Sequence, residues 1–123
     1  MTPADARHAN EAAIAVLVRA GADPEQLHDL THTLSGDTDA LELVRDRFVR
    51  DGFRMGGFSA GVLSLVQTAK LDPEVIGAAS DRMVGYAKAA GLAYEGWRAM
   101  PVRRASWLDR LQRGLIERAP LVR

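Results

Sequence analysis

The sequence predicts an α+β domain in which four antiparallel strands form one sheet that carries helices on one face. Three observations predict this class. Three long segments repeat apolar residues every three or four positions, the period of a helix, and four shorter segments have the extended character of strands. The chain has 123 residues, a length that fits one domain. Its composition, 47% hydrophobic and 26% charged, is typical of a folded chain and argues against disorder.

Three helices are predicted, and each has start and stop signals. A proline or a capping side chain stands near the start, where the first N–H groups of a helix lack backbone partners. Glycine follows each segment, as is common after the last helical turn. The predicted helices cover residues 3–20, 37–51 and 73–90, and the glycines that follow them are Gly21, Gly52 and Gly91.

Four strands are predicted between and after these helices, over residues 28–34, 53–55, 62–67 and 92–100. In the first of them, histidine and leucine alternate with aspartate and threonine, which is a period of two. Residues 56–61 are rich in glycine and are predicted to form the turn of a hairpin. In the last strand, Tyr94 and Trp97 would lie on opposite faces of the sheet unless Gly96 forms a β-bulge.

The order of these elements favours a ferredoxin-like βαββαβ antiparallel sheet, with an N-terminal helix before it and a short C-terminal helix after it. Residues 1–101 are the predicted domain, and residues 102–123 are a basic amphipathic extension in which Ser106 is a candidate helix cap. Such a two-layer fold leaves one face of the sheet to be covered by the extension, a partner or water. An uncovered face or an edge strand also leaves room for a homodimer.

The charges are unevenly distributed, although the formal net charge is zero. Residues 1–97 carry 9 basic and 14 acidic side chains, a net −5, whereas residues 98–123 carry 7 and 2, a net +5. The body is therefore expected to repel nucleic acid, and attraction to phosphate or acidic partners is expected from the C-terminal segment. The absence of cysteine excludes disulfides, and no apolar run approaches the ~20 residues of a membrane span. We expect a cytoplasmic protein without membrane contact.

No motif predicts catalysis, a metal site or a cofactor. Residues 57–61 match the G-x-S-x-G pattern around Ser59, but a strand follows them where a nucleophile elbow requires a helix. His28 and His32 would lie ~13 Å apart along a strand that rises ~3.3 Å per residue, too far for both to bind one zinc ion at ~2.1 Å. His32 is predicted to be a hydrogen-bonded structural side chain. A small hydrolase or isomerase centred on His32 or Ser59 is the least favoured hypothesis.

Nucleic-acid binding has one candidate region, the C-terminal extension. The two predicted central strands, residues 28–34 and 62–67, contain no aromatic side chain on which a base could stack. The extension carries arginines around Trp107, and a basic amphipathic helix can contact RNA, an acidic partner or a membrane surface. Solvated arginines around a docked leucine stripe are the favoured interpretation. The candidate contacts to phosphate or to an acidic partner are Arg103, Arg104, Arg110 and Arg113.

Four segments follow the pattern of a known family in order. They are a G-x-D-x-x-x-L turn at residues 21–27, a histidine-bearing strand at 30–34, the helix exit Gly52-Phe53, and the motif Tyr94-Glu95-Gly96-Trp97. Together they resemble the RraB family, whose last motif reads Y-D-G-W, so that Glu95 replaces an aspartate. The resemblance covers about residues 10–101.

The resemblance implies a ferredoxin-like fold, in agreement with the periodicity, and a non-catalytic function. Proteins of this family bind ribonuclease E and inhibit or redirect its cleavage of RNA, so the implied partner is that enzyme. This chain departs from the family at its end, because well-known members have an acidic tail whereas this one is rich in arginine. If binding to the ribonuclease depends on negative charge, the body must supply it.

The residues predicted to bind a partner are Tyr94, Glu95, Trp97 and His32. Tyrosine and tryptophan are favoured anchors at protein interfaces. The same two aromatic residues are equally well explained as lids packed over the sheet or the N-terminal helix. The favoured function is a protein-binding regulator of ribonuclease E, and the alternative is a nucleic-acid-associated module that acts through the arginine-rich extension.

Overall fold

A computed structural model describes residues 3–101 of the chain, with side chains from Arg7 to Met100. The predicted α+β class is confirmed: three helices accompany one four-stranded antiparallel sheet. The elements are α1 (Pro3–Arg19), β1 (His28–Ser35), α2 (Thr38–Arg50), β2 (Arg54–Ser59), β3 (Val62–Ala69), α3 (Pro73–Ala90) and β4 (Ala93–Pro101). The helix predicted to begin near Ser106 lies outside the described residues.

The strands lie in the order β2-β3-β1-β4, and every neighbouring pair is antiparallel. Strand β1 is therefore central, and β2 and β4 are the edges. The alternation predicted for β1 is present, because every second residue from His28 to Leu34 is buried. We call the side that bears Leu30 and Leu34 the helix face of the sheet, and the side that bears Thr31 and Thr33 the open face.

All three helices pack on the helix face, in two hydrophobic clusters. In the first cluster, α2 buries Leu41, Val44 and Phe48 against leucines of β1 and β3. In the second cluster, Ile14 of α1 packs with Ile76 of α3 and with residues of β1. Burial of each such side chain contributes about 1.5–3 kcal/mol, so these clusters hold the helices on the sheet.

Capping residues fix where the helices begin and end. The side chain of Asp37 accepts a hydrogen bond from the backbone N–H of Ala40, and that of Asp72 accepts one from Glu74, so each aspartate caps the start of its helix. Gly91 has a left-handed conformation and ends α3. These are the signals on which the predicted boundaries rest, and they agree with the structure to within two residues.

The β2–β3 hairpin differs from its prediction. The glycine-rich residues 56–61 were expected to form the turn, but β2 continues to Ser59 and the turn consists of Ala60 and Gly61. Both turn residues have positive φ, +52° and +74°, as a two-residue hairpin turn of type I′ requires. The register shifts at Gly56, where a Cβ atom would lie 2.9 Å from Val66 Cγ2. Gly56 therefore belongs to a bulge inside the strand, not to the turn.

We predict that Gly36→Ala destabilises the fold by about 1–3 kcal/mol. Gly36 follows β1 with φ of +144°, its N–H donates to the carbonyl of Gly61 at 3.0 Å, and an added Cβ would lie 2.5 Å from Leu92 Cδ2. Urea unfolding measures the change. The control is Gly57→Ala, because a Cβ at Gly57 has open space and no positive φ. Equal destabilisation by both substitutions would contradict this account.

Candidate functional site

A β-bulge in β4 determines where the predicted site residues point. The pairing of β4 with β1 shifts at Glu95, which is an extra residue without a partner on β1. The next residue, Gly96, has φ of +112°, a conformation that favours glycine. The extra residue brings Tyr94 and Trp97 to the same side of the sheet, the helix face, so the β-bulge considered for Gly96 is present.

The side chain of Trp97 links β4 to α1. Its indole Nε1 donates a hydrogen bond of 2.9 Å to Oδ1 of Asn10, a buried residue of α1. The ring is half-buried and packs against the cluster that contains Ile14 and Ile76. The indole N–H is thus already satisfied inside the protein, and what Trp97 offers to a ligand is the uncovered part of its ring.

Tyr94 belongs to a chain of polar side chains under the helices. Its hydroxyl lies 2.8 Å from Nδ1 of His32 and 3.3 Å from Oγ of Ser80. The other ring nitrogen of His32, Nε2, lies 3.4 Å from Oε1 of Gln67. The Ser80 hydroxyl in turn donates to the carbonyl of Ile76 at 2.8 Å. This network satisfies polar groups that burial would otherwise penalise by about 1–3 kcal/mol each.

Burial is the main cause of the pKa shifts of His32 and Tyr94. Removal from water lowers the pKa of His32, and the hydrogen bond to Gln67 only partly opposes this. Removal from water likewise raises the pKa of Tyr94, and the hydrogen bond with Ser80 acts in the opposite direction. His32 is therefore a neutral imidazole at pH 7. The amide oxygen of Gln67 beside Nε2 suits the tautomer that carries its proton on Nε2, in which Nδ1 accepts a hydrogen bond from the tyrosine hydroxyl.

A cleft of about 460 Å³ opens between α1, α3 and β4. It is lined by Ala9, Asn10 and Ala13 of α1, by Ser80, Asp81 and Val84 of α3, and by residues 94–97 of β4. A volume of this size lies within the ~300–1,000 Å³ range of ligand sites. We refer to this space as the cleft.

A second hollow, of about 380 Å³, lies on the open face of the sheet. Its lining includes Thr31 and Thr33 of β1, and residues 95–97 of β4 line both the hollow and the cleft. The carboxylate of Glu95 is exposed, and its Oε2 accepts a hydrogen bond of 2.7 Å from the hydroxyl of Ser35. Residues 94–97 thus form a ridge between two concave surfaces, and Glu95 is held on that ridge.

Of the four predicted partner-binding residues, three lie on the ridge. His32 does not, because its exposed fraction is 0%. It lies beneath Tyr94 and can influence a partner only through that residue. Its hydrogen bonds to Tyr94 and Gln67 agree with the structural role that the sequence predicts.

The remaining candidates do not join this site. His28 is buried, its Nδ1 donates to the carbonyl of Gln26 at 2.8 Å, and its Nε2 has no partner among the described residues. Ser59 lies on the open face of β2, whereas His32 lies on the helix face of β1, so they form no nucleophile–base pair. Across residues 3–101, no three potential ligands gather as a metal ion would require. The extension's candidate contacts, Arg103, Arg104, Arg110 and Arg113, lie outside the described part of the chain.

Sequence reasoning missed three polar residues of this region: Asn10, Ser80 and Asp81. A signal exists for the first two, because each lies four residues from a buried isoleucine on the same helix. A polar side chain on an apolar helical face needs a partner inside the protein. Asp81 carries no comparable signal, since an exposed acid on a helix is ordinary in any sequence.

None of the helices within residues 3–101 combines the length and hydropathy that crossing a membrane requires.

We predict that His32 makes the protein less stable as the pH falls below ~6.5, the ordinary pKa of histidine. In that range the unfolded chain binds a proton that the folded chain excludes, because burial lowers the pKa of His32 in the folded state. The slope that His32 adds is at most ~1.4 kcal/mol per pH unit. Urea titrations between pH 5 and pH 8 measure this slope. Both limits lie about one unit or more from the ordinary pKa of histidine.

His32→Gln should remove that part of the slope. The matched control is His8→Gln, because the His8 side chain is 82% exposed. This substitution should leave the dependence of stability on pH unchanged. An unaltered slope in the His32 variant would contradict the assignment.

The model of the family "Regulator of ribonuclease activity B" matches residues 7–98, which include most of α1, all of α3 and the whole ridge. No protein among those with curated records matches the chain significantly. The matched region is about three quarters of the 123-residue sequence and confirms the family predicted from its motifs. The chain therefore belongs to the RraB family of regulators of ribonuclease activity.

Proposed function

We propose that this protein is a non-catalytic regulator that binds ribonuclease E in the cytoplasm and inhibits or modulates its cleavage of RNA. Membership of a family of ribonuclease regulators supports the regulatory role. The choice of ribonuclease E as the partner rests on the family resemblance carried by the four sequence segments described above, the last of which is Tyr94-Glu95-Gly96-Trp97. Contact between proteins, not chemistry on a substrate, is the proposed mode of action.

The observation that carries this proposal is the ridge at residues 94–97. It lies on β4, an edge strand, and borders a concave surface on either side. Convex ridges flanked by hollows offer shape that a partner can complement, and aromatic residues at such places are frequent anchors. Glu95 adds an exposed carboxylate in a position fixed by Ser35.

The polar groups beside the cleft support a non-catalytic function. The Ser80 hydroxyl donates to a carbonyl of its own helix, and the Tyr94 hydroxyl donates to His32 and lies 3.3 Å from the Ser80 hydroxyl. A serine nucleophile needs its hydroxyl directed to a general base with a substrate carbonyl in reach. These side chains instead satisfy each other, which suits a structural network.

We also propose that the sheet is ferredoxin-like and that α1 is an addition to it. The order β2-β3-β1-β4, together with the chain order βαββαβ after α1, supports this assignment. Residues 1–101 are proposed as the regulatory domain and residues 102–123 as its basic extension. The outer edges of β2 and β4, which have no neighbouring strand within residues 3–101, are the proposed places for a homodimer contact.

The first test of the proposed function is Glu95→Lys. We expect this substitution to weaken binding to purified ribonuclease E at least fivefold and to relieve inhibition of RNA cleavage to a similar extent, because a reversed charge repels a partner that complements the ridge. Titration calorimetry measures the affinity, and a cleavage assay measures the inhibition. Trp97→Ala is unsuitable as the first test, since losing the indole should cost about 2–4 kcal/mol of stability.

The control for this test is Glu42→Lys. Glu42 is an exposed acid on α2, so its reversal makes the same change in net charge away from the ridge. It should leave both affinity and inhibition close to wild type. If the two variants behave alike, or if the wild-type protein shows no affinity for ribonuclease E at low salt, the proposed function is wrong.

The arginine-rich extension favours a second candidate function, contact with RNA. Residues 102–123 contain six arginines and two acidic residues. Contacts between arginines and phosphate release counterions, so RNA affinity should fall ~10-fold or more between 50 and 200 mM salt if several of them bind. Replacing Arg103, Arg104, Arg110 and Arg113 with glutamine in the full chain should then abolish RNA binding. Affinity that is independent of salt would exclude this candidate.

A further inference from the structure

Both charged residues that line the cleft are acidic. Acidic side chains elsewhere are partly paired, as Asp51 is with Arg82 and Glu74 is with Arg7. Asp81 and Glu95, which line the cleft, form no ion pair within residues 7–100, and no arginine or lysine lines the cleft beside them. Two acidic residues that form no ion pair within residues 7–100 therefore line the cleft.

The other walls of the cleft are apolar or already satisfied. Ala9, Ala13 and Val84 contribute small aliphatic surfaces. The hydroxyl of Tyr94 and the indole N–H of Trp97 are both engaged in hydrogen bonds inside the protein. These two aromatic residues can therefore offer a ligand only their rings, which attract both aliphatic groups and cations.

A matching occupant must combine a positive charge with an aliphatic body. An anion would meet two carboxylates without a compensating cation, and a wholly apolar group would leave those carboxylates partly desolvated and unpaired. Arginine and lysine side chains meet both requirements, because an aliphatic stem carries the charged group at its end. A peptide in which such residues alternate with apolar ones could place a stem along the alanines and its charged groups beside Asp81 and Glu95.

We infer that the cleft between α1, α3 and β4 is a docking site for a basic, partly apolar peptide segment of the partner, with Asp81 and Glu95 as its cation contacts. This inference deepens the proposed function and rests on it for the identity of the protein that carries the segment. The site itself is defined by the chain's own residues. Asp81 is the diagnostic position, because it lines the cleft and not the hollow on the open face.

The direct test uses a peptide probe and the full chain. The probe is a capped hexapeptide of alternating arginine and leucine, and its matched control peptide has glutamine in place of each arginine. Amide chemical shifts of the ¹⁵N-labelled protein should change at Val84 and Gly96 as the arginine peptide is added. The glutamine peptide should bind at least tenfold more weakly, and added salt should weaken the arginine peptide.

Variants locate the contacts. Asp81→Asn should weaken binding of the arginine peptide about threefold, and the double variant Asp81→Asn with Glu95→Gln about tenfold, as expected for exposed ion pairs. The matched control is Asp39→Asn with Glu42→Gln, which removes two exposed acids from α2. It should bind the probe with wild-type affinity. Equal binding of both peptides, absent shifts in the cleft, or equal weakening by the control variant would overturn the inference.

Ribonuclease E then separates this inference from the proposed function. If Asp81→Asn binds the enzyme more weakly than the wild-type protein does, the result supports both the inference and the proposed function. If Glu95→Lys weakens that binding and Asp81→Asn does not, the ridge is used without the cleft, and the inference fails while the proposed function stands. If the probe binds in the cleft but the enzyme does not bind at all, the cleft stands as a peptide site and the proposed partner is wrong.

Discussion

The positive φ of Gly96 is the constraint on which the functional region depends. Without an extra residue in β4, strict alternation would place Tyr94 and Trp97 on opposite faces of the sheet. One of them would then lose its partner, either the buried His32 or the buried Asn10. The bulge lets both aromatic residues face the helices while Glu95 stays outside. The buried network, the attachment of α1 and the ridge all follow from this one backbone irregularity.

The polar network under the helices gives the fold specificity as well as stability. A core of leucines alone would tolerate small shifts of β4 along β1, because one apolar contact substitutes for another. The hydrogen bonds of His32 and Trp97 each link one atom on β4 to one atom elsewhere, and they fail in any other register. The same groups that lie behind the cleft therefore also hold the edge strand in place.

Local signals in the sequence predict much of this fold. The helices begin and end close to their predicted positions because Asp37, Asp72 and Gly91 act through their immediate neighbours. The strand over Gly56 and Gly57 was missed, since glycine carries no side chain with which to show a period of two. Pairing with β3 decides its conformation, and that partner is distant in sequence.

The functional region was only partly predictable for the same reason. The Tyr94–Trp97 motif and the need for a bulge are visible within four residues of sequence. The engagement of their polar atoms is not, because Asn10 is 87 residues from Trp97 along the chain and His32 is 62 from Tyr94. The cleft is even harder to predict from the sequence, since it exists only where α1 and α3 meet β4. A space between three elements has no counterpart in the pattern of any one of them.

The position of α1 outside the sheet carries one last consequence. This helix forms a wall of the cleft and is attached through Asn10, Ile14, Leu17 and the ion pair of Arg7. Parts of a folded protein open locally at a lower free energy than the whole molecule unfolds. A ligand that binds against α1 raises the free energy of its detachment, so occupancy of the cleft and local opening of the helix are thermodynamically coupled. A bound partner would therefore be detectable as slower hydrogen exchange of the backbone amides of α1, a helix that lies outside the sheet.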